Sequence, residues 1–235
     1  MVIRGASGQF LTGFVLYLSM KYSSESQQDL FRLQGVLVRD LFSVEPMSIP
    51  CESITVLQGP SGCGKTTFLR LLNRMTPVEE GEISYKGRPL KERDPVQLRR
   101  EVVMLAQRPV LFTERLRDEL LAGCLLADRP LPDDGTLKRA LKAVNLEKSL
   151  TDDPRRFSGG EQQRLALARI ALMDASAVLL DEPSAGLDSS TEEVIFSILS
   201  QWAASGKTVI LATHARDLSS LGVVQTRIFR QGVVS

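Results

Sequence analysis

Ser53-Ile54-Thr55-Val56-Leu57, then Gln58, then Gly59-Pro60-Ser61-Gly62-Cys63-Gly64-Lys65-Thr66, is the stretch whose reading decides the fold. The apolar run from Ser53 to Leu57 is long enough for a strand and too short for a typical helix. Phe68, Leu71, Leu72 and Met75 then recur at three- and four-residue spacing, which predicts a helix after Thr66. Between them stands G-x-x-x-x-G-K-[ST] in the strand-to-helix context that gives the pattern its meaning. Glycines let successive backbone N–H groups turn inward around phosphate oxygens, and the helix offers its free N–H groups and positive dipole end to the same anion. Lys65 is placed to reach the β and γ phosphates, and the Thr66 hydroxyl to ligate Mg²⁺. Gly59 to Thr67 is therefore the candidate nucleotide-binding stretch. On its own it does not say which enzyme.

Working outward, short apolar runs recur at Val102 to Leu105, Ala177 to Leu180 and Thr208 to Ala212. Runs apolar on successive residues suit parallel strands buried on both faces. Helical spacing separates them, in Leu116, Leu120 and Leu121 and again in Leu137, Ala140, Leu141 and Val144. That alternation predicts an α/β fold with a mainly parallel sheet. Two stretches depart from it. Residues 30 to 49, and Gly81 to Leu90 with its Lys86-Gly87 turn, read as antiparallel strands beside the parallel core. Residues 109 to 157 read as a mostly helical subdomain inserted into that core, with Pro130 to Gly135 as a loop.

Two further groups bear on chemistry. Val178-Leu179-Leu180 leads into Asp181-Glu182, which places two carboxylates at the carboxyl end of an expected buried strand, where ligands of α/β sheets bind. Alone, such a pair is an ordinary exposed strand end. Beside the phosphate loop, Asp181 reads as a Mg²⁺ ligand, direct or through water, and Glu182 as the group that polarises the attacking water. Phe157-Ser158-Gly159-Gly160-Glu161-Gln162-Gln163-Arg164 opens a segment apolar nearly all round from Leu165 to Met173, as in a buried helix. Ser158, Gly159 and Gly160 form a second phosphate-competent helix start, or a helix cap with no ligand. One nucleotide does not need two cradles in one subunit, so the second would serve a partner's.

With 235 residues, 43% of them hydrophobic, the chain can bury a substantial core. A net charge of +1 supplies no global field toward nucleic acid, and no nucleic-acid partner is expected. Three widely spaced cysteines, Cys51, Cys63 and Cys124, and a single histidine form no zinc-type ligand set and suit a reducing cytosol. Cys63 reads either as a thiolate-prone group beside Lys65 and a helix N-terminus or as a small core cysteine. Arg4 precedes the apolar stretch Phe10 to Leu18, which is far short of the ~20 residues a membrane span requires. Residues 1 to 29 are expected to be a leader, frayed or misassigned with Met20 as a plausible start, or else an amphipathic contact with a membrane partner. The main domain is expected to fill 30 to 235.

With Ser158 to Arg164 in place, the order of phosphate loop, Gln107, Ser-Gly-Gly-Glu-Gln, Asp-Glu-Pro, Leu187-Asp188 and His214 resembles the ABC ATPases over about residues 30 to 232. The resemblance implies a P-loop NTPase core, ATP with Mg²⁺, and a homodimer or ABC heterodimer around two Mg-ATP. It also implies a separate integral membrane permease, with this chain cytoplasmic and peripheral on the inner face of the membrane. By the same resemblance Gln107 senses Mg²⁺ and the γ-phosphate, Ser158 to Glu161 bind the partner's ATP, Asp188 lies in the loop that talks across the dimer, and His214 holds the γ-phosphate and attacking water. Lys65, Glu182 and His214 are then the catalytic set, and Thr66, Gln107 and Asp181 the metal set. Rival readings are a soluble ABC ATPase of the DNA-repair or iron-sulfur assembly type, and a binding module without turnover. Gln107 to Phe112 looks somewhat more like the export type, similar to short bacterial subunits associated with metal or iron export. Glu161 stands where the family often has Gln, and Phe157 where it often has Leu. Val36 to Phe42 lacks the family's Tyr or Trp for adenine, which leaves Phe31, Phe42 or no stacking.

Overall fold

The computed structural model describes residues 28–214, 218–221, 225–230 and 232–235. The expected leader lies outside them up to residue 27, and the first strand, β1, begins at Asp29. The strands are β1 (Asp29–Val38), β2 (Phe42–Val44), β3 (Met47–Pro50), β4 (Ile54–Gln58), β5 (Glu80–Tyr85), β6 (Arg88–Pro89), β7 (Val102–Leu105), β8 (Ala177–Asp181), β9 (Thr208–Ala212), β10 (Gln225–Arg230) and β11 (Val233–Val234). They join in the order β6-β5-β1-β2-β11-β10-β4-β9-β8-β7, with β3 on β1. From β10 through β4, β9 and β8 to β7 every neighbour is parallel. The pairs β1/β2, β1/β3, β1/β5 and β5/β6 are antiparallel, as the sequence leads one to expect.

The helices are α1 (Lys65–Leu72), α2 (Pro95–Glu101), α3 (Leu116–Ala127), α4 (Asp134–Ala143), α5 (Gly159–Leu172) and α6 (Ser189–Ala204). Alternate residues of a strand point to opposite faces, and β4, β8 and β9 are buried on both. Leu57, Leu179 and Ile210 join Phe68, Leu69 and Leu72 of α1 on one side. Val56, Val178 and Leu211 join Leu165 of α5 and Ile195 and Leu199 of α6 on the other. That double cover is why these strands read as unbroken apolar runs.

Within 109–157 the helical parts are α3, α4 and a turn at Pro154–Arg156, while 109–115 and 145–153 carry no helix. Met75 falls outside the first helix, contrary to its spacing. Asn73 caps α1, Arg74 takes a left-handed φ of 57°, and Pro77 follows, so the chain turns away and Met75 is left exposed. Helix α2 has no counterpart in the sequence reading. Its start carries the usual signs, since Asp94 accepts from the N–H groups of Val96 and Gln97 and Pro95 opens the first turn.

Candidate functional site

Four neighbouring parallel strands end at one edge of the sheet, and each delivers part of a cleft of about 460 Å³. After β4 come Ser61, Gly62, Gly64, Lys65, Thr66 and Thr67; after β7, Gln107; at the end of β8, Asp181 and Glu182; after β9, Thr213 and His214. Sequentially remote residues therefore meet because strand order brings their carboxyl ends together.

The loop after β4 is shaped from beneath. Gly64 has φ 103°, and a Cβ built on it would stand 2.5 Å from Cδ1 of Phe42. A side chain there would collide with an aromatic floor made by Phe42, Phe68 and Phe229. Helix α1 begins with no side-chain cap, so its first N–H groups are available to an anion. Lys65 is buried and donates to the carbonyls of Gly59 at 2.9 Å and Pro60 at 3.2 Å. Its Nζ lies 3.1 Å from His214 Nε2 and 3.9 Å from Glu182 Oε1.

The Thr66 hydroxyl donates to Asp181 Oδ2 at 2.7 Å. Asp181 is buried, and a buried carboxylate with so little compensation fits a site for a cation. The hydroxyl and carboxylate oxygens are the hard donors that Mg²⁺ takes, and Gln107 lines the same cleft. Glu182 adopts a left-handed φ of 51°, which is strained for a side chain of this kind. Its N–H is fixed on the Ala212 carbonyl at 2.8 Å, so the turn beyond β8 is held by β9.

Ser158, Gly159, Gly160 and Glu161 do not line this cleft. They start α5 as a capping box: Ser158 Oγ accepts from Glu161 N–H at 3.3 Å, and Glu161 Oε2 accepts from Ser158 N–H at 2.8 Å. Lys148, 2.7 Å from Glu161, and the Ser158 N–H hold the Glu161 carboxyl below the usual carboxylate range. A Cβ on Gly159 would meet nothing within 4 Å, so that face is open. Asp188 is the N-cap of α6; the Ser190 hydroxyl and then the Thr191 N–H hold its carboxyl far below the usual range.

Cys63 turns away from the cleft. Its Sγ lies 2.9 Å from where a Gly59 Cβ would be, and it packs against the aromatic-floored core. Phe31 is fully buried against Tyr85, with ring centres 5.1 Å apart, and Phe42 is 3% exposed beneath the loop. Neither ring reaches the cleft. Leu41, 42% exposed at the β1–β2 turn, does line it, and so do Ser184, Ala185, Glu192 and Thr213. The Ser184 hydroxyl donates to Glu192 Oε1 at 2.6 Å. Sequence reading passed over these five; Leu41 had a signal in its place within the stretch searched for an aromatic, whereas Glu192 reaches the cleft only through the turn that starts α6.

The family model described as ABC transporter matches residues 45–185. The phosphate import ATP-binding protein PstB of Tropheryma whipplei (strain TW08/27) is 35% identical over 196 residues, which are 78% of this chain and 76% of that protein. The glutathione/L-cysteine transport system ATP-binding/permease protein CydC of Escherichia coli (strain K12) is 40% identical over 172 residues, 69% of this chain but only 29% of that longer protein. Neither name concerns the metal or iron export toward which Gln107 to Phe112 leans. Among solved structures, the dimeric post-hydrolysis state of the ATP-binding cassette MJ0796 bound to ADP and Pi has a TM-score of 0.74 at 23% identity, covering 87% of this chain and 96% of that one. The chain belongs to the ABC transporter family, as one of its ATP-binding and ATP-hydrolysing members.

Proposed function

We propose that two copies of this chain close head to tail around two Mg-ATP and drive a separate integral membrane permease, seated on the inner face of the membrane. The observation that carries this reading is the separation of two phosphate-competent helix starts. The cleft gathers Lys65, Thr66, Gln107, Asp181, Glu182 and His214 but none of Ser158 to Glu161, whose helix start, open at Gly159, suits the nucleotide of another copy. The ATP-binding cassette MJ0796, of like fold, is a dimer in its post-hydrolysis state.

In this reading the backbone from Gly59 to Gly64, with Lys65 and Thr67, holds the β and γ phosphates. Thr66, Asp181 and Gln107 hold Mg²⁺, which supplies charge neutralisation on those phosphates. Glu182, held by its strained turn, orients and deprotonates water, and His214 positions it against the γ-phosphate. Asp188, fixed at the head of α6, stands where the loop beyond Glu182 would face the partner copy. Among the described residues no helix is long and apolar enough to cross a membrane. Val110 and Phe112, 59% and 55% exposed just beyond Gln107, offer an apolar contact to a permease. Those residues and the transport names of the relatives favour this reading over a soluble ABC ATPase.

Size exclusion of Glu182→Gln with Mg-ATP tests it, because the substitution keeps the site's shape and removes the proton acceptor. A stable ATP-bound dimer is expected. A variant that binds ATP yet stays monomeric at tens of micromolar would refute the shared site, and failure to co-purify with any integral membrane protein would refute the permease.

A further inference from the structure

Residues 106–115 leave β7 without helix or strand and carry Gln107 into the cleft. The backbone groups of such a segment need partners, and a buried ion pair supplies them. Glu119, in the first turn of α3, is 0% exposed. One of its oxygens, Oε2, accepts from the N–H groups of Phe112 at 2.8 Å and Thr113 at 2.9 Å, and from the Thr113 hydroxyl at 3.4 Å. The other is bonded by the Arg169 guanidinium, which comes from α5. Arg169 also donates to the Val110 carbonyl at 3.0 Å and lies 4.8 Å from the centre of the Phe112 ring. The helices are close enough for this because Gly123 has no side chain; a Cβ there would stand 2.6 Å from Arg169 Cγ.

Gluing two helices together does not call for charges. Replacing a buried ion pair with apolar residues is often neutral or stabilising, so the pair is an expensive device for packing alone. What it provides, and apolar side chains cannot, is a directional grip on residues 110, 112 and 113. Arg169 also belongs to the helix headed by Ser158, about 16 Å further along at ~1.5 Å per residue. One rigid element therefore carries the second cradle at its start and the clamp on the Gln107 segment near its end.

We propose that Glu119 and Arg169 are positioning residues that fix Gln107 in the cleft and tie its movement to the helix bearing Ser158 to Gly160. This rests on the functional reading above, in which Gln107 meets the chain's own nucleotide and Ser158 the partner's. A shift of α5 on engaging the partner's ATP is then delivered to Gln107, and the pair couples the two sites of the dimer.

The test uses the full chain and compares Glu119→Gln/Arg169→Met, which leaves no charge unpaired, with Arg169→Lys, which keeps the charge on a shorter side chain and loses the guanidinium plane over the Phe112 ring. Each is made in the wild-type and Gln107→Ala backgrounds, with thermal melts, ATP binding and steady-state hydrolysis measured. The clamp variants should lower kcat on the order of 10- to 100-fold while ATP binding changes by less than about threefold. In the Gln107→Ala background they should add nothing, since residues that act through one group are not additive. Full additivity there, or unchanged kcat in a folded clamp variant, overturns the inference and leaves the reading of Gln107 standing. Wild-type kcat in Gln107→Ala itself overturns both. If the double variant does not fold, Arg169→Lys alone decides by the same comparison.

Discussion

His214 and the Glu182 carboxylate meet twice: the His214 backbone N–H donates to Oε2 at 3.2 Å, and the ring Nε2 lies 3.1 Å from Oε1. The same Nε2 stands 3.1 Å from Lys65 Nζ. Lysine can only donate, so toward Lys65 this nitrogen must accept; toward the carboxylate it must donate. A neutral ring cannot do both with one nitrogen. A γ-phosphate that draws Lys65 toward itself relieves the conflict and lets His214 donate. His214→Ala should therefore lower kcat on the order of 10²-fold while ATP binding stays within a few-fold. Single-turnover hydrolysis beside equilibrium ATP binding checks this, and an equal loss in both would make His214 a binding group.

Phe42 and Gly64 form a second pairing with consequences. Since the ring stands where a Gly64 side chain would go, it sets the height of the phosphate loop as well as filling the core. Phe42→Ala should cost about 3–5 kcal/mol of stability, as expected for an emptied aromatic site. It should also weaken ATP binding by about tenfold or more, measured on the folded protein well below its melting point. Lost stability with unchanged ATP affinity would reduce Phe42 to core packing.

Cys63 faces Gly59 and the core, so its chemistry depends on access through the loop in which it stands. Maleimide should inactivate the wild type slowly, saturating Mg-ATP should slow it by about tenfold, and Cys63→Ser should retain activity and lose the sensitivity. Inactivation that persists in Cys63→Ser would move the reactive thiol to Cys51 or Cys124.

The parallel core was legible because its strands are buried on both faces: Val102 to Leu105 and Thr208 to Ala212 are bounded as strands at the very residues their apolar runs mark. The phosphate loop and the Asp181-Glu182 strand end were legible because they have few other physical uses in that context. What escaped has a physical reason in each case. Strand β11 has two residues and β10 alternates weakly, leaving little pattern to read. Glu119 looks like a solvated helix residue until Arg169, fifty positions later, is seen to neutralise it. Leu41 is an apolar residue in a turn, and only the strand order shows which cavity that turn borders.

Leu41 is the residue that the β1–β2 turn contributes to the cleft. Phe31 is sealed against Tyr85 and Phe42 lies under the loop, so the cleft wall at the β1–β2 turn is aliphatic. An aromatic platform contributes ~1 to 3 kcal/mol per stacked base. Leucine offers apolar contact without a ring to align with the base, while the phosphate loop, Lys65 and the Mg²⁺ donors act on any nucleoside triphosphate. GTP should therefore be hydrolysed within about tenfold of ATP in kcat/KM, a difference of ~1.4 kcal/mol or less. Leu41→Ala should weaken ATP and GTP alike, because it removes contact without removing discrimination. Leu41→Tyr should lower KM for both by about tenfold, since stacking tolerates any base. Phe31→Ala and Phe42→Ala should leave the ATP-to-GTP ratio unchanged, whatever they do to the melt. Steady-state hydrolysis of both nucleotides across these variants is the measurement. An ATP preference above about a hundredfold in the wild type that collapses in folded Leu41→Ala would mean that the turn does read adenine, and that the aliphatic wall is a specific seat for the base.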